Sequence, residues 1–362
     1  MPAIKTDDTV LVTGASGFIA VWVCQYLLEA GYKVKGTVRS ASKGDYLVNL
    51  FKPYGDKFKY VIVEDMSKNG AFDEVVKGVD AIAHTASPVN FDTEDPKDVI
   101  EPAVRGTTEI LESVHKYAPA VKRVVITSSV VAITDVMFHL KIPGTIYTEN
   151  DWNTRSIQEI QEKGKDALGI HKYCASKVMA EKAAWDFVAK TKPNWDLVTC
   201  CPSLVYGPIL HQVSDPSTVN TSIAMVYNFV HNKESMTEET LLTPNNFVDV
   251  RDVALAHVRA LEVEEAGGQR FITASAFYCW QDTRTWVLLS DNVHLTYQAL
   301  VDVLNLPPGF PRGTPGAGKA LKHIVFSHAK AKKILGMEFK GLQECMRDTV
   351  EGLQKRGWGV MV

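Results

Sequence analysis

Two side chains able to handle a proton, Tyr173 and Lys177, lie four positions apart near the middle of the chain. They belong to the segment 171–177, which leads into a helical pattern over 178–188. On a helix this spacing places a phenol and an ammonium on the same face. Of the 12 tyrosines, only Tyr173 has a lysine four residues later. Alone, this pair also describes an ordinary surface pair, so its chemistry depends on what else lies nearby.

Two serine hydroxyls are candidates to lie near Tyr173 and Lys177. Ser128 and Ser129 directly follow the β-branched run 123–127, which is typical of a buried strand. In a doubly wound sheet, residues just after a strand face the ligand. A serine, a tyrosine and a lysine gathered there suit a carbonyl group held beside a nicotinamide.

A glycine turn near the start of the chain indicates where a dinucleotide would bind. Residues 13–20 separate the apolar run 9–12 from an amphipathic stretch, which predicts strand, turn and helix. Such a turn aims the free N–H groups of the helix start at a phosphate. Gly14 permits the tight turn, Gly17 lets the backbone approach a pyrophosphate, and Ala20 allows close packing. The alternative is an ordinary tight turn, but its position at the start of an alternating chain favours nucleotide binding.

The end of the second predicted strand, 32–38, indicates which dinucleotide. An NAD enzyme usually has an acidic residue there for the ribose 2′-hydroxyl. Here Arg39 follows the strand, Lys43 comes shortly after, and no carboxylate appears before Asp45. A guanidinium offers a planar set of donors and a permanent charge to a 2′-phosphate. The pattern favours NADPH, with a solvated basic turn as the alternative.

Composition excludes several classes of protein. The 362 residues are 46% hydrophobic and 22% charged, with a net charge of −3, which is typical of a globular enzyme. The charge favours neither nucleic acid nor an anionic membrane, and no apolar run approaches the roughly 18 residues of a membrane span. We expect no signal peptide. Six cysteines without CxxC spacing predict reduced thiols, a cytoplasmic location and no metal site.

Strand-like and helix-like segments alternate along the first 200 residues. Continuous β-branched runs between helical patterns predict an α/β fold with a Rossmann-type, doubly wound parallel sheet. The remaining predicted strands of this sheet are 58–63, 79–83, 196–200 and a returning strand at 269–273. The predicted helices before the sixth strand include 72–77 and 99–117.

After about residue 203 the pattern becomes irregular, which predicts a smaller, interleaved C-terminal substrate-binding region. We assign 1–202 to an NADP-binding Rossmann domain to which 246–273 returns. A helix is expected from Asn246 to about Glu262 within that return. The substrate-binding region is then 203–245 together with 274–362. The stretch 280–296 fits neither a helical nor a strand period.

Taken together, these motifs resemble the extended short-chain dehydrogenase/reductase family. Within it, the chain is most similar to the branch of dihydroflavonol reductases, cinnamoyl-CoA reductases and fungal or yeast NADPH-dependent carbonyl (aldehyde/ketone) reductases. The yeast and fungal similarity is strongest over 63–78. The resemblance covers nearly the whole chain and rests on seven segments in the expected order: 13–20, 36–39, 64–66, 84–88, 127–129, 173–177 and 202–208.

The resemblance implies a role for each catalytic residue. Tyr173 is the general acid that protonates the carbonyl oxygen as a hydride arrives from the nicotinamide. Lys177 holds the nicotinamide ribose and, as a nearby cation, lowers the pKa of the tyrosine. Ser129 holds the substrate oxygen and shares its developing charge. Ser128 is the alternative for that role, because only the family pattern selects the second serine. His84 is interpreted as structural rather than as a base.

The same resemblance implies a set of residues around NADPH. Asp65 and Met66 meet the adenine, Ala86 and Pro88 line the cofactor channel, and residues of the 202–208 segment back the nicotinamide. The full predicted set of cofactor-binding residues is Gly14, Ser16, Gly17, Phe18, Ile19, Arg39, Lys43, Asp65, Met66, Ala86, Ser87, Pro88, Thr127, Tyr173, Lys177, Pro202, Leu204 and Val205.

The predicted function is NADPH-dependent reduction of an aldehyde or ketone to an alcohol. Two alternatives remain: another reaction on the same scaffold, namely hydroxysteroid-type dehydrogenation or sugar-nucleotide epimerisation, and a non-catalytic NADP-binding regulator. The absence of an acid at Arg39 argues against an epimerase, and the retained Tyr173 and Lys177 argue against a regulator. The expected partner is a small carbonyl compound, with no nucleic acid or membrane, for a monomer or homodimer.

The pocket wall is less defined by the resemblance. The polar stretch 154–169 is longer than a tight loop requires, and we expect it beside or over the active site. Five apolar pocket candidates are each interpreted as core in the first instance: Phe91, Met137, Tyr206, Ile209 and Met225.

Overall fold

The computed structural model describes residues 4–87, 93–135, 144–231, 237, 240, 243–280 and 324–358. Within them lie twelve strands: β1 (Thr9–Thr13), β2 (Lys33–Val38), β3 (Phe58–Ile62), β4 (Ala81–His84), β5 (Arg123–Thr127), β6 (Ile146–Tyr147), β7 (Asp196–Pro202), β8 (Leu204–Tyr206), β9 (Pro244–Asp249), β10 (Arg270–Thr273), β11 (Ala276–Cys279) and β12 (Val325–Phe326). The same residues form nine α-helices: α1 (Phe18–Glu29), α2 (Ala41–Leu50), α3 (Lys97–Tyr117), α4 (Thr154–Lys163), α5 (Gly169–Thr191), α6 (Thr221–His231), α7 (Val250–Glu262), α8 (Ala329–Leu335) and α9 (Leu342–Gln354).

A seven-stranded sheet forms the centre of the molecule. Its strand order is β10-β7-β5-β4-β1-β2-β3, and every neighbouring pair is parallel. The chain starts at β1, winds outward to β3, and then crosses back to β4 on the other side. This reversal beside β1 creates the crevice in which doubly wound sheets bind ligands. The predicted α/β, Rossmann-type fold is confirmed.

Helices cover both faces of this sheet. On one face α1 packs against α7, and on the other the long helices α3 and α5 pack against each other. Because the central strands are covered on both sides, their residues are buried almost without alternation, as in β4 and β5. This explains the continuous β-branched runs in the sequence.

A second, three-stranded sheet follows the first in the C-terminal half, in the order β11-β9-β8. Here the structure corrects one expectation: residues 246–249 are the end of strand β9, and the helix begins only at Val250. Asp249 stops the strand and starts the helix, since its carboxylate accepts the backbone N–H of Arg251 at 2.8 Å. The chain then returns to the main sheet through α7 and β10.

One other predicted segment differs: residues 71–78, expected as a helix around 72–77, form successive turns. Most of the polar stretch 154–169, for which no element was predicted, is helix α4, which packs against α5. Asn153 caps α4 by accepting the backbone N–H of Ser156 at 2.9 Å.

An aromatic cluster fills the core beneath the small sheet. The hydroxyls of Tyr206 and Tyr278 lie 2.6 Å apart, and Trp280 stacks on Phe229 with ring centroids 4.5 Å apart. Of the pocket candidates, Tyr206 and Ile209 are buried in this core, and Met225 is packed against it. Phe91 and Met137 lie outside the described residues, as do residues 281–296 of the irregular stretch.

An irregular segment, 208–213, is held by side chains rather than by regular structure. Its six carbonyls each accept a hydrogen bond from a distant side chain. Arg356, just beyond α9, binds three of them, and the other donors are on α1 and α2. The six bonds are Trp22 to Pro208 at 3.0 Å, Arg356 to Ile209 at 3.2 Å, Tyr46 to Leu210 at 3.0 Å, Arg356 to His211 at 3.4 Å, Lys43 to Gln212 at 3.2 Å and Arg356 to Val213 at 3.2 Å.

Neither a membrane helix nor a metal cluster is found in the part of the chain that the structure describes. None of its helices combines the length and apolar character needed to cross a bilayer. The same residues contain no group of three or more His, Cys, Asp or Glu side chains placed to hold a metal ion. All six cysteines are free and buried.

Candidate active site

The glycine turn between β1 and α1 forms a close backbone surface at the crevice. Gly14 has φ +63°, and a Cβ there would lie 3.1 Å from the Cβ of Ala86 in the loop after β4. Gly17 precedes α1 in extended conformation, without a side-chain cap. The first N–H groups of α1 are therefore not capped by a side chain, as an anion-binding helix start requires. Ser16 and Ile19 lie partly buried beside this turn.

Thr13, the last residue of β1, holds the glycine turn against the neighbouring strand β4. Its hydroxyl accepts the backbone N–H of Ala86 at 3.1 Å and lies 2.9 Å from Nδ1 of His84. Burial, reinforced by the charge of Lys177, lowers the pKa of His84 to about 3. His84 is therefore neutral and bonded to Thr13, which supports the structural interpretation.

The tyrosine and lysine lie on α5, inside the molecule. Lys177 Nζ is 5.8 Å from the centre of the Tyr173 ring and 2.8 Å from the hydroxyl of Ser87, on the loop after β4. The Lys177 side chain is 8% exposed, and Tyr173 is partly buried. One face of α5 thus meets the loop that also contacts the glycine turn.

Burial controls the proton affinities of this pair. It raises the pKa of the Tyr173 phenol above its ordinary range and lowers the pKa of Lys177 to about 8, although Glu181 opposes the second effect. The direction at Tyr173 is opposite to the lowering expected from Lys177, because burial removes the phenolate from water and the neighbouring Cys174 adds to the effect. The phenol is consequently protonated at neutral pH.

The structure separates the two serines after β5. The Ser128 hydroxyl is buried and donates to the Glu181 carboxylate at 2.6 Å. Ser129 is partly buried, caps a short 3-10 turn, and its hydroxyl donates to the carbonyl of Pro202 at 3.5 Å. That turn packs against α5. A long, weak bond leaves Ser129 better suited than Ser128 to exchange its partner for a substrate oxygen.

Thr127, predicted to contact the cofactor, directs its hydroxyl to the other face of the sheet. It lies 2.7 Å from Nε2 of His257 on α7. The other ring nitrogen, Nδ1, lies 2.8 Å from the carbonyl of Val253 and must carry the proton, since a carbonyl only accepts. Burial lowers the pKa of His257 to about 4, so the ring is neutral and accepts from Thr127.

The two basic residues after β2 have different surroundings. Arg39 is exposed and forms no ion pair with any residue that the structure describes. Lys43, in the first turn of α2, donates to the carbonyl of Gln212 in the segment 208–213. That segment also places the ring of His211 5.4 Å from the ring of Phe18. The start of α1 and the start of α2 therefore border the same segment.

The residues expected near the adenine follow β3. The Asp65 carboxylate is exposed and accepts both the N–H and the hydroxyl of Ser67, at 2.9 and 2.6 Å. The end of the Met66 side chain packs over Gly106 of α3, where a Cβ would lie 2.5 Å from the Met66 methyl carbon, Cε. The Met66 side chain therefore belongs to the helix packing, and its backbone is the part left for a ligand.

The last predicted group lies at the join of β7 and β8. Pro202 is buried, and Leu204 and Val205 are partly buried on β8. The Val205 carbonyl accepts the hydroxyl of Ser222 on α6. Pro88 lies outside the described residues.

Three buried polar residues near the site were missed by sequence reasoning. Lys172 donates to the carbonyls of Thr93, Glu94 and Lys165, at 3.1, 2.7 and 2.8 Å, and thereby ties two loops to the start of α5. Glu181 and Arg270 form a buried ion pair at 2.7 Å. The available signal was the helical spacing: Glu181 follows Lys177 by four residues, as Lys177 follows Tyr173.

Comparison with known proteins shows the protein family. A model of the NAD dependent epimerase/dehydratase family matches residues 10–273. The ketoreductase azaE of Aspergillus niger is 38% identical, over 95% of this chain and 97% of that protein. The NADPH-dependent methylglyoxal reductase GRE2 of Saccharomyces cerevisiae is 34% identical, over 96% and 98% of the two chains.

Solved structures agree with this. The crystal structure of yeast methylglyoxal/isovaleraldehyde reductase Gre2 complexed with NADPH superposes with a TM-score of 0.81 at 33% identity, covering 97% of this chain and 99% of that chain. Gre2 of Candida albicans in complex with NADPH gives 0.80 at 33% identity, covering 96% and 99%. The chain belongs to the NAD dependent epimerase/dehydratase family, that is, to the extended short-chain dehydrogenase/reductases.

Proposed function

We propose that the protein reduces an aldehyde or ketone to the alcohol with NADPH. The observation that carries this proposal is the meeting of Tyr173 and Lys177 on α5 with Ser87, in the loop that closes on the glycine turn. The ketoreductase and methylglyoxal reductase relatives, similar over almost their whole length, support the same reaction.

The residues at the crevice fit a bound dinucleotide. A side chain at Gly14 would collide with Ala86, and Gly17 leaves the helix start open to a pyrophosphate. Beyond β2, the exposed guanidinium of Arg39 and the ammonium of Lys43 fit a 2′-phosphate, and no acidic residue lies between the end of β2 and Asp45. We therefore assign the pyrophosphate to the α1 start and the 2′-phosphate to Arg39 and Lys43.

When bound, NADPH supplies the hydride, and the protein must handle the charge that develops on the substrate oxygen. Tyr173 donates the proton, since burial keeps its phenol protonated at neutral pH. Lys177 exchanges its bond to Ser87 for the nicotinamide ribose. Ser129 holds the substrate oxygen in place of its long bond to Pro202.

We also propose the division of labour along the chain. The segments 1–202 and 246–273 bind NADPH, and 203–245 with 274–362 form the substrate-binding region. The seven-stranded sheet, which β10 completes, supports the first assignment, and the separate sheet of β8, β9 and β11 supports the second. A cytoplasmic location, small-molecule partners alone, and a monomer or homodimer remain predictions.

A substrate panel tests the proposed reaction. Purified protein is mixed with aldehydes and ketones, including methylglyoxal, with NADPH or NADH in parallel, and the absorbance of the reduced cofactor is followed. We expect oxidation of NADPH with at least one carbonyl compound and weaker use of NADH. A protein that binds NADPH but oxidises it with no carbonyl compound would be a regulator, and one that interconverts sugar nucleotides with a retained cofactor would be an epimerase.

A further inference from the structure

We propose that Glu181 is a positioning residue that holds Lys177 and the Ser128–Ser129 segment in register for the reaction. The inference rests on the proposed function, because it concerns the same reaction. Glu181 touches neither the reacting atoms nor the phosphate crevice. It acts through the residues that do.

The Glu181 carboxylate joins four elements of the fold. It is 1% exposed and projects from α5 onto the sheet. One oxygen, Oε1, accepts the Thr199 hydroxyl of β7 at 2.7 Å and Arg270 Nε of β10 at 2.7 Å. The other, Oε2, accepts the Ser128 hydroxyl at 2.6 Å. These bonds fix α5 against β5, β7 and β10 together.

Two neighbours of the Glu181 carboxylate, Ser128 and Cys201, directly precede residues of the proposed site. Ser128 precedes Ser129, so the bond to Glu181 fixes the chain immediately before the oxygen-holding serine. Cys201 lies 3.9 Å from the same carboxylate oxygen and precedes Pro202, whose carbonyl accepts from Ser129. The network therefore orients Ser129 from both sides.

On the helix, Glu181 follows Lys177 by one turn. Tyr173, Lys177 and Glu181 recur every four residues, so a buried carboxylate stands behind the buried ammonium. Burial disfavours the charged form of Lys177, and Glu181 counteracts it. The Glu181 charge thus keeps Lys177 protonated over a wider pH range than burial alone would allow.

The other titratable groups around Lys177 and Glu181 do not supply a negative charge in place of the Glu181 carboxylate. His84 on β4 is neutral, and Tyr173 is a protonated phenol. Burial raises the pKa of Cys200 and Cys201 on β7, so both are thiols. Arg270 is bound to Glu181 itself and stacks on Trp152, with 3.7 Å between guanidinium carbon and ring centre.

The test is the pH profile of carbonyl reduction by Glu181→Gln. The neutral amide has nearly the same shape but no charge, so Lys177 should lose its proton at lower pH. We expect the alkaline limb of kcat/KM, and that of NADPH affinity followed by nicotinamide fluorescence, to move down by about one pH unit. We also expect kcat at pH 6.5 to fall about tenfold or more, because Ser129 is less well placed.

Glu159→Gln is the matched control. Glu159 is also a buried carboxylate on a helix, ion-paired with Arg155 and Lys163 of α4, but it does not contact the network. Loss of the Glu159 charge should lower stability and leave the alkaline limbs of kcat/KM and of NADPH affinity unchanged. If Glu181→Gln keeps the wild-type limbs, the proposal is wrong even though the reductase activity stands.

A second variant covers the risk that Glu181→Gln leaves Arg270 buried without a counter-ion and fails to fold. The double change Glu181→Gln with Arg270→Gln removes both charges, which folded proteins tolerate better than one unpaired charge. We expect the same downward shift of the limbs, since Glu181 is the charge that supports Lys177. An unshifted double variant also overturns the proposal, whereas a wild type that binds no NADPH overturns the proposed function.

Discussion

At the scale of single residues, the site combines a phenol that burial keeps protonated with an ammonium that burial weakens. Tyr173 and Lys177 share one face of α5, and burial moves their pKa values apart, that of Tyr173 upward and that of Lys177 downward. A general acid must carry its proton when negative charge develops on the substrate. In the proposed reaction, charge on the substrate oxygen, rather than on the resting enzyme, draws the proton from Tyr173.

Tyr173→Phe removes the proposed acid, the phenolic hydroxyl, and keeps the aromatic ring. Because the ring still packs in the same position, the fold and NADPH affinity should be unchanged. Turnover should fall about 10²- to 10⁴-fold, the usual contribution of a positioned acid. Steady-state kinetics with a substrate from the panel, together with a fluorescence titration of NADPH, measures both quantities. Near-normal turnover would contradict the assigned role.

The second residue-scale prediction concerns Arg39→Asp. A charge-assisted hydrogen bond contributes about 1.5–3 kcal/mol, so NADPH should bind roughly 10- to 150-fold more weakly. NADH affinity should change little or improve, because an acid can accept from the 2′-hydroxyl. Lys52→Asp, at an exposed lysine away from the crevice, is the control for net charge. Equal weakening by both variants would show a general charge effect.

At the scale of elements, side chains rather than backbone pairing hold the segment 208–213. Trp22, Lys43 and Tyr46 bind it from α1 and α2, and Arg356 binds it from beyond α9. This links the C-terminal end of the chain to the two helices whose first turns border the proposed phosphate sites. The helix α5 is tied in the same manner by Lys172.

Arg356→Met tests that link. The aliphatic part of the side chain is retained, but the carbonyls of Ile209, His211 and Val213 lose their donor. We expect the free energy of unfolding to fall by about 1–3 kcal/mol and NADPH to bind more weakly. Thermal melts with and without NADPH measure both effects. Arg347→Met, which removes a more exposed arginine bound to Asp348, should cost less than about 1 kcal/mol.

Across the whole molecule, the last part of the chain is fastened to the start of α7 by side-chain contacts. Asp252 accepts the backbone N–H of Lys340 at 2.7 Å, and Arg251 joins Asp249 to Asp348 of α9. Asp252 is 4% exposed, and its burial raises its pKa to about 6. A buried carboxylate with a raised pKa opposes folding once it is ionised.

The pH dependence of stability follows from the raised pKa of Asp252. Because the pKa of Asp252 is higher in the folded state, its cost is absent below about pH 4 and complete above about pH 6, on the order of 2–3 kcal/mol. Asp252→Asn keeps the acceptor oxygen without the charge. It should therefore raise the melting temperature at pH 7.5 and have little effect at pH 4.

Asp348→Asn should change the pH dependence of stability in the opposite direction. Although burial acts against ionisation, Arg347 and Arg251 hold the pKa of Asp348 below its usual range. Its contribution to stability is present above about pH 4 and is lost as the pH falls through the lowered pKa. The variant should therefore be destabilised at pH 7.5 and approach the wild type in strong acid. Parallel pH dependence in the two variants would contradict the assignment of these contacts.

Several features could be predicted from the residues because they are local. The runs ending at Val12, Val38 and Thr127 are strands because β-branched residues suit a sheet covered on both faces. The glycine turn follows from Gly14, which adopts a positive φ. The prediction failed at 246–249, where Asp249 ends a strand and caps a helix, since the same residues fit the start of either element.

The strand-forming runs, the glycine turn and the spacing of Tyr173 and Lys177 follow from the amino-acid sequence alone, because each depends on neighbours a few residues away. The packing of the chain is needed to show which serine has the weaker bond, which face Thr127 uses, and how Glu181 and Arg270 meet. The residues of those contacts are far apart in sequence: 53 positions for Ser128 and Glu181, 89 for Glu181 and Arg270, and 130 for Thr127 and His257. Burial sets the proton affinities there, and burial exists only once the sheet and its helices have packed.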